Sequence, residues 1–216
     1  IALVSPYDYA SPGGVTVHIS QLRRQLEQRG HEVTVLAPHS KTSRAVEDPG
    51  FIPLGRPFPM PTGGSIARIT LSLTLGPKVK AILQDGQFDI VHVHEPLVPF
   101  LPITVLRFSQ SGNVGTFHAF HGSSPAYRYT RRILRRWFRK LHGKIAVSEL
   151  ARDFVNRYFR GYYNLIPNGV DLSHFSPDTA HIPELRDGKR NILFVGRMEK
   201  RKGLKYLLGA YSRIKW

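Results

Sequence analysis

The amino-acid sequence predicts an α/β protein built on a doubly wound parallel sheet. Short runs of Val, Ile and Leu recur along the chain, apolar at successive rather than alternate positions. Most are followed by a segment whose apolar residues fall at helical spacing, and Gly, Pro or Asp flanks the runs. Strands that are apolar on both faces must be covered on both, which helical crossovers achieve. In such folds ligands sit outside the carboxyl ends of the strands.

IALVS is the first expected strand. After SPGG comes a helix over 14–28, whose Val15, Ile19, Leu22 and Leu26 share one face. VTVLA and FIPLG are the next strands. A helix over 77–84 then leads to DIVHVH, one over 97–109 to VGTFH, one over 126–141 to KIAVS, and one over 149–158 to NLIP. The text DLSHFSPDTAHIPELRDGKR has scattered charge and no period, and reads as a connector. NILFVGRMEKRKGLKYLLGAY restarts the strand–loop–helix pattern. The expected organisation is a domain over 1–170, a connector over 171–190, and the start of a second α/β domain over 191–216. Opening on Ile1 and stopping within a helical pattern, the chain reads as a piece of a longer polypeptide.

Composition narrows the partners. Among 216 residues, 31 Lys and Arg against 15 Asp and Glu give a net charge of +16, a field that favours nucleic acid, anionic lipid or phosphorylated small molecules. With no cysteine there is neither a disulfide nor a thiolate metal site. No apolar run approaches the ~20 residues that span a bilayer; PLVPFLPITVLRF is broken by Pro96, Pro99 and Pro102. A secretory signal is not expected, since the text opens on IALVSP with no basic region ahead of it.

Two loops suit phosphate. Gly13-Gly14 lies where the first strand gives way to a helix, whose free N–H groups and dipole attract an anion. The surrounding text matches neither G-x-G-x-x-G nor a P-loop, so a ligand-free glycine turn is the alternative. In FVGRMEKRKGL, Arg197, Lys200, Arg201 and Lys202 crowd a second such loop, and a solvated surface is the alternative there.

SPGGV, HVHEP, GTFH, AVSELAR, IPNGVD and FVGRMEKRKG, in this order and spacing, resemble the retaining GT-B glycosyltransferases that use nucleotide-sugars. Within that superfamily the likeness is closest to the phosphatidylinositol mannosyltransferases, supported by GGSIAR and HEP. The resemblance implies an acceptor-binding first domain and a donor-binding second one, with GDP-mannose as donor and no metal or other cofactor. By match, Gly14 offers its amide to the distal phosphate, and Arg197 and Lys202 neutralise the diphosphate. His118 contacts the sugar and stabilises positive charge at the anomeric carbon; a buried structural histidine is the alternative. Tyr7, Thr16, Ser65 and Arg68 fall on acceptor-pocket positions. Thr16 stands where a glutamine is expected and Gly63 where an asparagine is. The glutamate pair eight positions apart that grips the donor is missing, so the chain alone is expected to transfer nothing. A metal pair of His118 and His121 lacks a third ligand nearby, and His92 and His94 read as packing and hydrogen-bonding groups, with Glu95 orienting a neighbour.

The charge concentrates in YRYTRRILRRWFRKLHG. Ile133, Leu134, Trp137, Phe138 and Leu141 form the expected apolar face, opposite Arg128, Arg131, Arg132, Arg135, Arg136, Arg139 and Lys140. A solvated face explains this, and so does docking on anionic phospholipid; Lys78 and Lys80, on another helix, resemble the basic stretch by which the lipid mannosyltransferases meet membranes. The second reading implies a peripheral protein at the cytoplasmic face of a membrane. Specific nucleic-acid binding is disfavoured, because Trp137 and Phe138 lie on the apolar side and no nucleic-acid motif is present. The rival functions are transfer to a soluble polyol or sugar phosphate, and a non-catalytic anion-binding module.

Overall fold

The computed structural model describes residues 1–40, 48–62, 65–119, 124–172, 175–176, 178, 182–186, 188–196 and 198–214. The chain divides into two compact units, one of Ile1–Met60 with Arg68–Gly169, the other of Pro61–Ala67 with Val170–Trp216.

In the first unit, seven strands form one parallel sheet. They are β1 (Ala2–Val4), β2 (Thr34–Ala37), β3 (Phe51–Pro53), β6 (Ile90–His94), β7 (Gly112–Phe117), β8 (Gly143–Ala146) and β9 (Asn164–Leu165), in the order β3-β2-β1-β6-β7-β8-β9. The order reverses at β1, which pairs Ala2, Leu3 and Val4 with Thr34, Val35 and Leu36 of β2 on one side and with Val91, His92 and Val93 of β6 on the other. That reversal is a topological switch point, where connections leave in opposite directions and open a crevice at the carboxyl ends. A separate two-stranded sheet joins β4 (Pro57–Thr62) to β5 (Ser65–Thr70).

Successive residues of the central strands enter different cores, as a sheet covered on both faces requires. Leu3, Val35 and Ala37 pack with Ile19 of α1 (Gly14–Gln28), against which Val15, Leu22 and Leu26 also lie. Ala2, Val4 and Leu36 join the core of α2 (Leu75–Asp85), α3 (Leu101–Phe108), α4 (Pro125–Phe138) and α5 (Glu149–Tyr158). Caps set the starts of the last two helices. The Ser124 hydroxyl accepts from the Tyr127 amide at 3.2 Å ahead of Pro125, and that of Ser148 accepts from Ala151 at 3.1 Å ahead of Glu149.

Several expectations need correction. α3 begins at Leu101 rather than at 97, since Pro96, Pro99 and Pro102 keep the preceding residues out of helical geometry. β9 is an exposed two-residue edge, not a buried strand. The β4–β5 hairpin is absent from the sequence reading, because PFPMPT carries prolines. They alternate, so all the missing N–H groups fall on one edge of β4 and the other edge keeps its donors for β5.

The second unit holds α6 (Leu204–Tyr211), entered through a single turn at Lys200–Lys202 and the left-handed Gly203. The strand expected at NILFV does not form: residues 191–195 have no regular structure and Leu193 is 84% exposed. A parallel strand needs a hydrogen-bonded neighbour, and the described residues of this unit supply none.

Candidate functional site

The loops at the carboxyl ends of β1, β5, β6 and β7 converge at the switch point. Asp8, 1% exposed, knots the first of them. Its carboxylate accepts from the Ser11 hydroxyl at 2.8 Å, the Ser40 amide at 2.9 Å and the Ala10 amide at 3.1 Å. Burial pushes its pKa up, and those bonds outweigh it and hold the carboxyl below its usual range. Arg68 donates to the Ser11 hydroxyl at 2.9 Å, Asp8 N–H to the Arg68 carbonyl at 2.8 Å, and Tyr7 bridges to Ile69 of β5. Asp8 was missed in the sequence, although an Asp tying its own loop is a familiar turn device.

That loop delivers the chain to α1. Gly13 caps the helix with extended backbone and no side-chain bond, and a Cβ placed on Gly14 meets nothing within 4 Å. The first turn of α1 thus has no side-chain cap on its amides, room at Gly14 among the described residues, and the positive end of the helix dipole.

His118 follows β7, whose Gly115 is squeezed so closely that a Cβ there would stand 2.8 Å from Leu141 and 2.9 Å from Pro96. Its Nε2 shares a hydrogen bond of 2.9 Å with Nδ1 of His94, the last residue of β6. His94 stacks on His92 with ring centroids 4.5 Å apart, and His92 Nε2 lies 2.7 Å from the Thr116 hydroxyl. From one turn into α1, His18 sets its ring edgewise to both His94 and His118, at 5.5 and 5.3 Å. Burial keeps these imidazoles neutral: it holds His118 down at about 3 and His92 at about 4, with neighbouring histidines adding to it, and lowers His94 and His18 as well.

Glu95 braces the cluster from below. It is 3% exposed, and one carboxylate oxygen accepts from the amides of His118 and Ala119, both at 2.6 Å. Burial raises its pKa to about 7 despite those bonds. Its φ of 49° is left-handed, unusual for a residue with a side chain, and the two amide bonds hold it there. Glu95 is a positioning residue for the His118 backbone, closed off from solvent.

The other sequence-derived positions divide plainly. Thr16 is half-buried on the first turn of α1, where its carbonyl accepts from Ser20. Ser65 begins β5. Arg197, Gly63 and His121 lie outside the described residues. Lys202, in the second unit, is exposed, its stem 3.7 Å from where a Gly196 Cβ would stand. Lys78 donates to the Pro53 carbonyl at 3.2 Å and Lys80 is exposed. Arg131, Arg132, Arg135, Arg136 and Arg139 are exposed along α4.

Two assignments on α4 are corrected. Ile133 is 70% exposed, so the buried stripe is Leu134 and Phe138 at i and i+4; α4 ends at Phe138 rather than 141, and the buried Leu141 lies beyond it. Ile133 and Tyr129, 83% exposed, run through the arginines instead. Lys140 leaves the basic face to bond the carbonyls of Leu106, Arg107 and Ser109, the orphan acceptors at the end of α3. No helix among the described residues is long and apolar enough to cross a membrane.

Comparison with known proteins adds to this geometry. The model of the family described as Glycosyltransferase Family 4 matches residues 12–174. The chain is 39% identical over 217 residues to a phosphatidyl-myo-inositol mannosyltransferase of Mycobacterium leprae, with 99% of this chain and 57% of that protein covered. It is 38% identical to the protein of the same name in Mycolicibacterium smegmatis, covering 99% and 55%, and 32% identical to that of Propionibacterium freudenreichii, covering 100% and 58%. The chain thus spans a little over half the length of these relatives.

Proposed function

The chain belongs to glycosyltransferase family 4, and from that premise we propose that it is the acceptor-binding domain and the start of the donor domain of a retaining GT-B mannosyltransferase. In this reading GDP-mannose is the donor and the headgroup of phosphatidylinositol the acceptor. The protein is peripheral, held at the cytoplasmic face of its membrane. The observation that carries the reading is the uncapped start of α1, open at Gly14, one turn from a His18 that touches the His118 ring.

The chemistry follows from the charges. Departure of a nucleoside diphosphate leaves negative charge on the distal phosphate, which the amides and dipole of α1 stabilise without a metal. By the sequence match alone, Arg197 and Lys202 are the residues proposed to add countercharge. As the glycosidic bond to phosphate breaks, positive charge grows at the anomeric carbon. An imidazolium would oppose it, whereas the buried, neutral His118 presents only a dipole. The acceptor hydroxyl attacks that carbon and gives its proton to the leaving phosphate, so no protein base is required. Glu95, buried and bonded to two amides, does not serve as one.

Lipid as acceptor is supported by the names of the relatives and by α4, where Tyr129 and Ile133 project among five exposed arginines. A soluble polyol or sugar-phosphate acceptor is the second reading, favoured by Thr16 in place of an amide side chain. Calorimetry on the full-length polypeptide tests the donor: GDP-mannose is expected to bind more tightly than UDP-glucose or UDP-N-acetylglucosamine. Preference for a uridine donor would overturn the mannose assignment while leaving the family intact.

A further inference from the structure

A cavity that sugar transfer does not use lies at the other pole of the sheet. Its volume is about 610 Å3, and it is framed by the last turns of α2 and α3 and by the short segments that enter β6 and β7. His94 and His118 stand at the opposite, carboxyl ends of those strands, and β6 alone rises about 13 Å from Ile90 to His94. The cavity is therefore separate from the switch-point crevice.

Three kinds of group line it. Lys80 and Arg107 bring positive charge, and neither enters an ion pair among the described residues. Gln84, Gln87 and Gln110 bring side-chain amides, and the half-buried Phe88 and Phe108 bring ring surface. Among the described residues no acid lines it. The carbonyls that end α3 would by themselves make this pole negative. Lys140 cancels them: its ammonium, also in the lining, donates to the carbonyls of Leu106, Arg107 and Ser109. The Arg107 guanidinium lies over the Phe108 ring, 5.3 Å from its centroid. That contact uses the flat face of the group and leaves its edge to donate. Gln87 is left-handed, with φ 39°, just past the end of α2, where a helix usually places glycine. A glutamine held there strains the backbone and keeps an amide at the rim.

We propose that this cavity binds a phosphorylated sugar or polyol, at a site distinct from that of transfer. Cations unopposed by acids select an anion, and the fork of Arg107 matches two oxygens of one phosphate. Amides that both donate and accept suit several hydroxyls at once, and the phenyl rings suit the C–H face of a sugar or polyol. The volume is that of a small-molecule site. A free sugar phosphate and the headgroup of a lipid offer the same chemistry. The site stands on these side chains and not on the transfer reading, so either can fail without the other.

Equilibrium dialysis of the full-length polypeptide against labelled myo-inositol 1-phosphate tests the proposal. One equivalent is expected that Arg107→Gln weakens about tenfold or more, the worth of one hydrogen bond to a charged group, and that Arg68→Gln in the acceptor loop leaves in place. Neutral myo-inositol is expected to bind this site at least about tenfold more weakly, for the same reason. Gln87→Gly is expected to raise Tm by relieving the left-handed residue and yet to weaken the probe. Arg29→Gln, at an exposed arginine outside the cavity, is expected to change nothing. Vesicles of phosphatidylinositol that displace the probe would identify a lipid headgroup as the source, and vesicles that do not would identify a free phosphorylated compound; the site stands in both cases. Affinity unchanged by both Arg107→Gln and Gln87→Gly would overturn the proposal. So would binding lost equally with Arg29→Gln, which would mark diffuse attraction to a chain of charge +16, or binding lost with Arg68→Gln alone. Inorganic sulfate that matches the probe would mark an adventitious ion only, and would overturn it too.

Discussion

At Gly14 a methyl group would meet nothing within 4 Å among the described residues, and the backbone there is not left-handed, so nothing described in the fold requires a glycine. Gly14→Ala is therefore expected to leave the folded chain intact or to stabilise it by about 0.4–1 kcal/mol through the unfolded state. If a phosphate approaches this backbone, the same change weakens GDP binding by the full-length protein roughly tenfold or more, the worth of one hydrogen bond to a charged group. Unchanged GDP affinity would remove the phosphate from this helix start. The glycine pair was legible in SPGGV as a phosphate-friendly turn, but not the open space that gives it meaning. The histidine cluster was legible in part: His92 and His94 read as packing and hydrogen-bonding groups, which they are. That His18 of α1 joins them and His118 was not legible, a meeting that only the sheet order decides.

The buried titrating groups there also set a pH dependence. His92 and His118 titrate near 4 and 3 in the folded state against an ordinary 6.5, with His94 and His18 lowered too. Their contribution is present above pH 6.5 and is lost as pH falls through the folded values. Glu95 has the opposite sign: raised from 4.5 to about 7, its contribution is full below 4.5 and fades as pH rises through 7. Several histidines against one carboxyl give a net loss of stability on acidification between pH 6.5 and 4.5. Thermal unfolding in a chelating buffer is expected to show Tm falling over that range, and falling more steeply in Glu95→Gln, which removes the offset. A flat profile would contradict the assignment of neutral, buried imidazoles.

Among the elements, those with clear end signals matched their sequence reading: α1 runs over 14–28 with the left-handed Gly30 past its end, and α5 over 149–158 behind the Ser148 cap. α4 was legible as amphipathic but not in its phase, since Ile133 is apolar by composition and outward by angle. The corrected face, arginines flanking Tyr129 and Ile133, is the one proposed to dock on an anionic surface. Each basic residue near such a surface contributes ~1 kcal/mol. Arg131, Arg132 and Arg135 changed together to Gln are thus expected to lower partition onto phosphatidylserine vesicles on the order of 100-fold at low salt. Raised salt is expected to weaken binding of the unchanged protein, and Tyr129→Ser with Ile133→Ser to remove the salt-resistant remainder. Sedimentation with vesicles reads both; equal binding to neutral vesicles would return α4 to a solvated face.

For the molecule as a whole, strand order does what no single element can. Reversal at β1 brings the loop from Tyr7 to Gly14 together with Glu95 and His118, residues scattered over more than half of the chain. The alternation of strands and helices foretold the parallel sheet; the β4–β5 hairpin was hidden because proline usually argues against a strand. NILFV reads as a strand but has no neighbour to pair with among the described residues. The central claim is that this switch-point site serves mannosyl transfer to lipid. The most direct test supplies the full-length polypeptide with labelled GDP-mannose and phosphatidylinositol vesicles and follows label into solvent-extractable lipid. The account predicts labelled lipid from the unchanged protein and almost none from His118→Ala; undiminished labelling by His118→Ala, or none by a protein that binds GDP-mannose, would contradict it.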